Sequence, residues 1–337
     1  MPPRETLDPA EHWFVAHGLP YFVDSYRATV AAGLRRSRVA AVVLIAAVVG
    51  VVVGVVVAVP LSAAAGVGAA LSAAGVVLAA YAVATLRAWL IVGWAVRRTF
   101  RSLGLLVPLV TRALPLLLLF ITFLFINAEV WQVSAALDGG VLWVTVLLFA
   151  AVAVGFLLTR LPEELDTVDE EVECQQLLDA CRGTPLEAAA ESIAARVERV
   201  GAVDAEVTGL QKANLVLVLL VTQTVQVLLL AIAVFAFFIV FGVVAMDPEV
   251  VGSWTTDGVV HPLTGPAGDW IGLRLSQELV RVSVFLAAFS GLYFTVYAVT
   301  DDVYRKQFFS TVTRELERAV SARVAYRFLK DGDVTRP

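Results

Sequence analysis

The chain has 337 residues, of which 59% are hydrophobic and 16% are charged, and its formal net charge is −5. A soluble domain usually contains about 45–50% apolar and about 25% charged residues, so this composition argues against an ordinary soluble protein. The apolar residues fall in blocks of about 20 or more, long enough for a helix to cross roughly 30 Å of hydrocarbon. The sequence therefore predicts an all-α polytopic membrane protein.

Residue usage also bears on the compartment. Lysine is rare, arginine is frequent, and Ala and Val dominate the apolar blocks. This usage is typical of GC-rich bacteria, so we predict a multi-pass protein of the bacterial plasma membrane. No cleavable signal peptide is expected, because residues 1–38 are too long and too polar for the charged segment that opens one. The lipid bilayer is the predicted partner, and nucleic acid is not expected as one.

Six membrane-spanning helices are predicted from the apolar blocks. They cover residues 39–59, 64–86, 113–132, 141–159, 215–246 and 282–300. Arginines lie before the first block, between the second and third, and after the sixth, so six crossings put all three clusters on one side. Since positive residues favour the cytoplasmic side, both termini are predicted to be cytoplasmic.

The segments between the spans divide the chain further. We predict cytosolic amphipathic helices at 1–38 and spans one to four at 39–159, which include an interfacial basic helix at about 87–104. An acidic cytosolic helical extension follows at 160–212. Spans five and six lie at 213–300 with an extracytoplasmic loop at 247–276, and a basic cytosolic helix and tail follow at 301–337. Within the extension we expect helices at about 163–181 and 185–200. In the loop we expect a small hairpin around Asp257 and Gly258.

Small residues recur at intervals of four in the first two spans. In lipid, small residues in register let two helix backbones approach closely. This pattern predicts a tight hairpin of spans one and two, with packing against another subunit as the alternative. The predicted packing residues are Ala46, Gly50, Gly54, Ala58, Gly68 and Ser72.

Span five carries three polar residues, Thr222, Gln223 and Gln226, within an arc of about 100° at 100° per residue. Amides in a hydrocarbon layer are unfavourable unless they are hydrogen-bonded, so this arc should face protein or water. One interpretation is hydrogen bonding between helices. The other is that the three side chains line a permeation path.

The stretch FLFINAEVWQV at 123–133 places Asn127 and Glu129 inside an apolar run. The predicted topology puts both at the extracytoplasmic end of span three. One interpretation is a plain membrane boundary, supported by the neighbouring Trp131 as an interfacial residue. The alternative is an outer-rim polar cluster in which Glu129 faces Glu278 and Arg281 across the bundle.

The remaining polar features predict no chemistry. The acidic run that begins at Glu163 is interpreted as a solvated face, or as a partner for the basic C-terminal segment. Binding of divalent cations is the alternative, although a continuous helix does not wrap an ion as a loop does. Cys174 and Cys181 lie two helical turns apart in a segment that should be reducing, and the chain has three histidines, too few nearby ligands for a metal site. We expect no catalytic residues, no metal and no cofactor, because nucleotide-binding and hydrolase motifs are missing.

Two functional hypotheses remain. The buried amides of span five favour an oligomeric channel or carrier for small solutes or ions, with the protein as a homo-oligomer. The alternative is a non-catalytic membrane scaffold or signalling partner that acts through the acidic helices of 160–212 on a cytosolic protein. An enzyme is not expected, since no nucleophile–base pair or metal set is found.

Overall fold

A computed structural model describes residues 4–60, 63–101, 118–137, 140–166, 171–200, 202–204, 207–255, 258–266, 272–300 and 302–331. The described chain is predominantly helical. Its elements are α1 Arg4–Ala16, α2 Asp24–Gly33, α3 Arg36–Ala58, α4 Ala63–Thr85, α5 Ala88–Arg101, α6 Leu118–Phe125, α7 Ala128–Ala136, α8 Gly140–Asp166, β1 Glu171–Glu173, α9 Cys174–Cys181, α10 Glu187–Val200, β2 Ala202–Asp204, α11 Gly209–Ala245, α12 Pro248–Trp254, α13 Gln277–Thr300 and α14 Asp302–Asp331.

Five helices are long and apolar enough to cross a membrane. They are α3, α4 over Gly66–Thr85, α8 over Gly140–Leu161, α11 and α13. The count rises to six if α6 and α7, which are bent by 74° at a short break, form one span. These helices are compatible with a membrane-embedded protein. The third span, predicted as one helix at 113–132, is therefore broken in the structure. The first residues of that range lie outside the described part of the chain.

The chain forms two compact units. Unit 1 comprises Met1–Arg97, Leu165–Val218 and Arg314–Pro337. Unit 2 comprises Arg98–Glu164 and Leu219–Thr313. Unit 1 therefore contains the α3–α4 hairpin with the polar helices α1, α2, α9 and α10, and unit 2 contains α6, α7, most of α8 and α11, and α13.

The single helix predicted at about 163–181 is wrong as a continuous element, although its last part is helical as α9, Cys174–Cys181. Helix α8 ends at Asp166, and Glu171–Glu173 forms strand β1, which pairs antiparallel with Ala202–Asp204. Residues Glu171, Val172 and Glu173 alternate polar and apolar, which is the period of a strand, and Val172 lies opposite Val203 of the partner segment. The second predicted helix corresponds to α10, which starts at Glu187 and ends at Val200.

The hairpin predicted around Asp257 is also wrong over its first half. Residues 248–254 form α12, which begins with Pro248 in its first turn and is capped by the Asp247 carboxylate, an acceptor for the Glu249 N–H at 2.9 Å. Asp257 itself lies outside the described residues. Instead of a hairpin, the loop contains an isolated bridge between Pro262 and Ser276.

Candidate functional site

The stretch FLFINAEVWQV forms the break between α6 and α7 in unit 2. Asn127 is the N-cap of α7, and its Oδ1 accepts a hydrogen bond from the Glu129 N–H at 2.8 Å. An asparagine side chain at this position satisfies one of the backbone donors that a new helix leaves unpaired. The polar residue thus has a local structural role. Both Asn127 and the Glu129 side chain are exposed.

An aromatic side chain donates a hydrogen bond to the last backbone carbonyl of α6. The indole Nε1 of Trp131 donates to the carbonyl oxygen of Phe125 at 2.6 Å, and Trp131 is 1% exposed. The Phe125 ring stacks on Phe238 of α11 with centroids 4.7 Å apart. A buried tryptophan needs a partner for its N–H, and here the partner is a carbonyl freed by the helix break. Trp131 is therefore buried at the bend instead of exposed at an interface.

A carboxylate–imidazole pair lies at the start of α13. Glu278 is 5% exposed, and its two carboxylate oxygens contact His261, one at 2.8 Å from Nδ1 and the other at 3.1 Å from the backbone N–H. Sequence reasoning placed Glu278 at the outer rim but missed His261, because 17 residues separate the two. The Glu278–His261 pair holds the loop that precedes α13 against the start of that helix.

Two residues of the predicted outer-rim cluster, Glu278 and Arg281, bind different partners. Arg281 donates from its guanidinium to the carbonyl of Ala135 in α7 at 2.8 Å, so α7 and α13 are in contact. Glu278 binds His261, as above. Glu129 is exposed near the opposite end of the short helix α7 from Ala135. The expectation that Glu129 faces Glu278 and Arg281 stays a prediction.

Thr222, Gln223 and Gln226 are all buried within unit 2, at 1%, 0% and 8% exposure. They lie far from the end of α11 that meets Asp247, since roughly 28 Å of helix separate Gln226 from Ala245 at 1.5 Å per residue. At that other end Arg274 donates to the Val243 carbonyl at 3.2 Å, which marks a polar boundary. The separation between Gln226 and Ala245 is comparable with the thickness of a hydrocarbon layer, about 30 Å.

An apolar groove of about 330 Å³ lies between α8, α11 and α13. It extends over roughly 20 Å, since its lining on α8 runs from Trp143 to Leu157. Several lining side chains are more than half exposed, among them Trp143 at 60% and Leu228 at 56%, so the groove is open along one side. Its lining includes Phe149, Ala153, Ala231, Phe235, Ala288 and Gly291.

The groove contains almost no polar group. Thr224 and Thr295 are the hydroxyl residues of its lining, and the Thr295 hydroxyl donates to the Gly291 carbonyl of its own helix at 2.8 Å. Thr222, Gln223 and Gln226 do not line it. The lining thus offers a continuous apolar surface and, apart from the hydroxyls of Thr224 and Thr295, no side-chain oxygen that could coordinate an ion. Sequence reasoning missed the groove because its walls come from three distant segments.

The α3–α4 hairpin of unit 1 is packed through small residues. A Cβ on Gly50 would lie 2.8 Å from the Ala70 carbonyl oxygen, and one on Gly54 would lie 2.8 Å from the Ala70 Cβ. Ala46, Gly50 and Gly54 are the buried residues of α3. Ala58 is half-buried, and its Cβ lies against Gly66.

On α4 the packing face differs from the prediction. Gly68 and Ser72 are exposed, and a Cβ on Gly68 would meet nothing within 4 Å. Gly66 takes their place, since a Cβ there would lie 2.5 Å from the Ala58 Cβ and 2.7 Å from the Gly54 carbonyl oxygen. Because α4 has small residues on every side, the spacing alone could not select the contacting face.

The polar helices of unit 1 are tied together by side chains from distant segments. The buried Asn214 accepts from the Tyr21 N–H at 2.8 Å and donates to the Gly18 carbonyl at 3.0 Å. The Tyr21 hydroxyl donates to the Leu86 carbonyl at 2.5 Å, and burial raises the pKa of this phenol to about 12. These bonds hold the segment after α1 to the start of α11 and to the end of α4.

The acidic extension is packed into the same unit. Arg318 of α14 donates to the carbonyls of Ala180 and Arg182 at 2.8 and 3.0 Å, which places a cation on the carbonyl end of α9. Cys181 beside it is fully buried, and burial raises the pKa of its thiol to about 12, only partly opposed by Arg318. A protonated, buried thiol is a poor nucleophile. A protein partner for 160–212 stays a prediction.

Among the described residues, no group of three or more His, Cys, Asp or Glu side chains could hold a metal ion. No protein-family model, no curated protein and no solved structure matches the chain.

Proposed function

We propose that this protein is a membrane carrier for a lipid-like solute whose acyl chain lies in the groove between α8, α11 and α13. The observation that supports the proposal is the groove itself, about 330 Å³ in volume and almost wholly apolar. Ligand pockets in proteins have volumes of about 300–1,000 Å³. The groove's length of roughly 20 Å exceeds the depth of one lipid leaflet, about half of a 30 Å core.

Of the channel and the carrier predicted from the sequence, the apolar groove favours the carrier. An ion path needs rings of carbonyls, charges or a wet constriction. The described groove offers two threonine hydroxyls, of which Thr295 is bonded within its own helix. Thr222, Gln223 and Gln226 of α11 are buried and do not line the groove, which favours the interpretation of these three as packing residues.

Binding is tested by quenching of tryptophan fluorescence with a brominated fatty acid added to the purified protein in detergent. Trp143 lines the groove, so we expect a saturable component of quenching that is lost in Trp143→Phe. Ala231→Phe fills the groove and should remove the same component. Ala233→Phe is the matched control, because Ala233 is exposed on the same helix and does not line the groove. Equal, non-saturable quenching in all variants would refute binding.

Transport is tested separately in vesicles. Transfer of a fluorescent fatty acid across the bilayer should be faster with the wild-type protein and with Ala233→Phe than with Ala231→Phe or without protein. Conductance to small cations should stay at the level of protein-free vesicles. Saturable binding without faster transfer would leave a lipid-binding protein that is not a carrier.

We also propose a bacterial plasma-membrane location with both termini cytoplasmic, and a homo-oligomeric state. The arginine distribution along the sequence supports the orientation. Reporter fusions at the two termini test it, since a reporter active only outside the cytoplasm should stay silent at both. Chemical cross-linking in native membranes tests self-association.

A further inference from the structure

Unit 1 contains a second cavity, polar and distinct from the groove. It has a volume of about 220 Å³ and lies among the start of α2, the start of α11 and the last part of α14. Space for one water molecule in the liquid is about 30 Å³, so the cavity has room for a larger polar group. Its polar lining consists of Asp24, Arg27, Gln211, Arg323, Arg327 and Lys330, with the Tyr326 ring beside them.

The described lining is strongly cationic. Four side chains are cationic, and the single carboxylate is Asp24. That carboxylate already accepts hydrogen bonds from both Arg27 and Lys330. Glu11 accepts a hydrogen bond from the Tyr326 hydroxyl at 2.9 Å and does not line the cavity. One negative charge thus faces four positive ones.

Two of the arginines stand out by their placement. Arg323 is 7% exposed, so its charge is buried, and it also makes other interactions. Arg327, half-buried one residue beyond Tyr326, has no carboxylate within ion-pair distance in the part of the chain that the structure describes. A buried or half-buried positive charge is stabilised when an anion compensates it.

Guanidinium groups bind phosphate oxygens in a fork of two parallel hydrogen bonds, and they are more weakly hydrated than an ammonium group. A lysine and the Gln211 amide supply further donors in the same cavity. A phosphate group has the charge to balance the excess and the acceptors to use these donors.

We propose that this cavity binds a phosphate-bearing anion, either a soluble phosphate compound or the headgroup of an anionic lipid. Arg327 and Gln211 contact the phosphate, and Arg323 and Lys330 contribute to the positive potential. The site is independent of the groove in unit 2 and of the carrier function proposed for it.

The first test uses inorganic phosphate with the full-length protein in a neutral detergent, measured by isothermal titration calorimetry. Arg327→Gln removes a charge-assisted bond and should weaken binding about tenfold or more. Arg182→Gln is the matched control with the same change in charge, because Arg182 is exposed, pairs with Asp179 and does not line the cavity. It should bind phosphate as the wild type does.

Gln211→Glu distinguishes a binding site from a structural cluster. The added carboxylate supplies the missing negative charge, so this variant should be more heat-stable than the wild type without phosphate and should bind phosphate at least about tenfold more weakly. If the arginines have only a structural role, Gln211→Glu and Arg327→Gln should leave any binding of phosphate to the protein unchanged.

The two sources of phosphate are separated by reconstitution. If the ligand is a lipid headgroup, vesicles containing phosphatidylglycerol should raise the thermal midpoint relative to pure phosphatidylcholine, and Arg327→Gln should abolish the rise while Arg182→Gln keeps it. If the ligand is soluble, inorganic phosphate should raise the midpoint equally in both vesicles. Absence of binding in both arms, or equal binding by wild type, Arg327→Gln and Gln211→Glu, would overturn the proposal.

Discussion

Two helix pairs in this protein are packed in opposite ways. In the α3–α4 hairpin, glycines bring the two backbones together, with Gly66 against Ala58 and the Gly54 carbonyl. In the α11–α13 pair, side chains separate the backbones, since Gly291 faces Val227 and Ala231 and Gly242 faces Leu279. Both pairs consist of helices that could cross a membrane.

The difference determines where a ligand has room. Contact between backbones leaves no space between helices, and the large side chains of α3, such as Leu44 at 66% exposure, then point away from the contact. Contact through side chains of unequal size leaves a groove where Ala231, Ala288 and Gly291 stand between bulkier neighbours. A membrane protein can thus use its most closely packed helices as a support and its less closely packed ones as a binding site.

The largest expected effect is in the hairpin. Gly66→Ala places a methyl group 2.5 Å from the Ala58 Cβ and 2.7 Å from a backbone oxygen, so the helices must separate. We expect a loss of about 3 kcal/mol in the free energy of unfolding, the upper part of the range for overpacking. The measurement is titration with SDS in mixed micelles.

Gly68→Ala is the control for that experiment, because it adds the same methyl group where nothing lies within 4 Å. It should be neutral or slightly stabilising, since alanine favours a helix over glycine by about 1 kcal/mol. Equal destabilisation by both substitutions would mean that the hairpin is not packed through Gly66, and the contrast between the two helix pairs would fail.

The features that the sequence could predict are local ones. Long apolar blocks predicted the helices that correspond to α3, α4, α8, α11 and α13, because crossing a bilayer depends on length and apolar character. The stripe of small residues on α3 was likewise visible at its period of four. The partner face on α4 was not, because Gly66, Gly68 and many alanines compete there and only the facing helix selects among them.

The remaining features depend on contacts between distant residues. The break at Asn127 uses an indole that donates back to Phe125, and the strand at Glu171–Glu173 forms only with Ala202–Asp204 as its partner. The groove and the cationic cavity each require three or more segments to meet. No periodicity within one segment encodes such a meeting, so composition and spacing could not have located either cavity.

A smaller effect is expected at the loop end of α13. Glu278→Gln removes the charge and one acceptor from a buried carboxylate that binds His261 through both its backbone and its ring. We expect a loss of about 2 kcal/mol, the range for hydrogen bonds to charged groups. Hydrogen exchange at the His261 amide should become faster.

Glu249→Gln is the matched control for this change, because its side chain is exposed in the same extracytoplasmic loop predicted from the sequence. Its effect on the His261 amide should be small. If Glu278→Gln left that amide protected, the end of α13 would be held by helix packing alone, as in the hairpin.

The break between α6 and α7 is expected to contribute about 1 kcal/mol. Asn127→Ala removes the N-cap that accepts from the Glu129 N–H, whereas Asn127→Asp retains an acceptor of the same shape. Loss of stability in the alanine variant and recovery in the aspartate variant would assign the residue a capping role. Equal losses in both would instead favour a role for the amide group of Asn127 in the outer-rim cluster.

The smallest effect should come from the less closely packed pair. Gly291→Ala brings a methyl group to 3.3 Å from a Val227 methyl and 3.7 Å from the Ala231 Cβ, contacts that side chains can relieve by small shifts into the neighbouring groove. We expect a change below about 0.5 kcal/mol, well under that of Gly66→Ala, since the helix propensity of alanine offsets the crowding. The saturable quenching by a brominated fatty acid should weaken, because Gly291 lines the groove. A large loss of stability here would show that α11 and α13 are as closely packed as the hairpin, and a groove bounded by rigidly packed backbones could not adapt to a bound acyl chain.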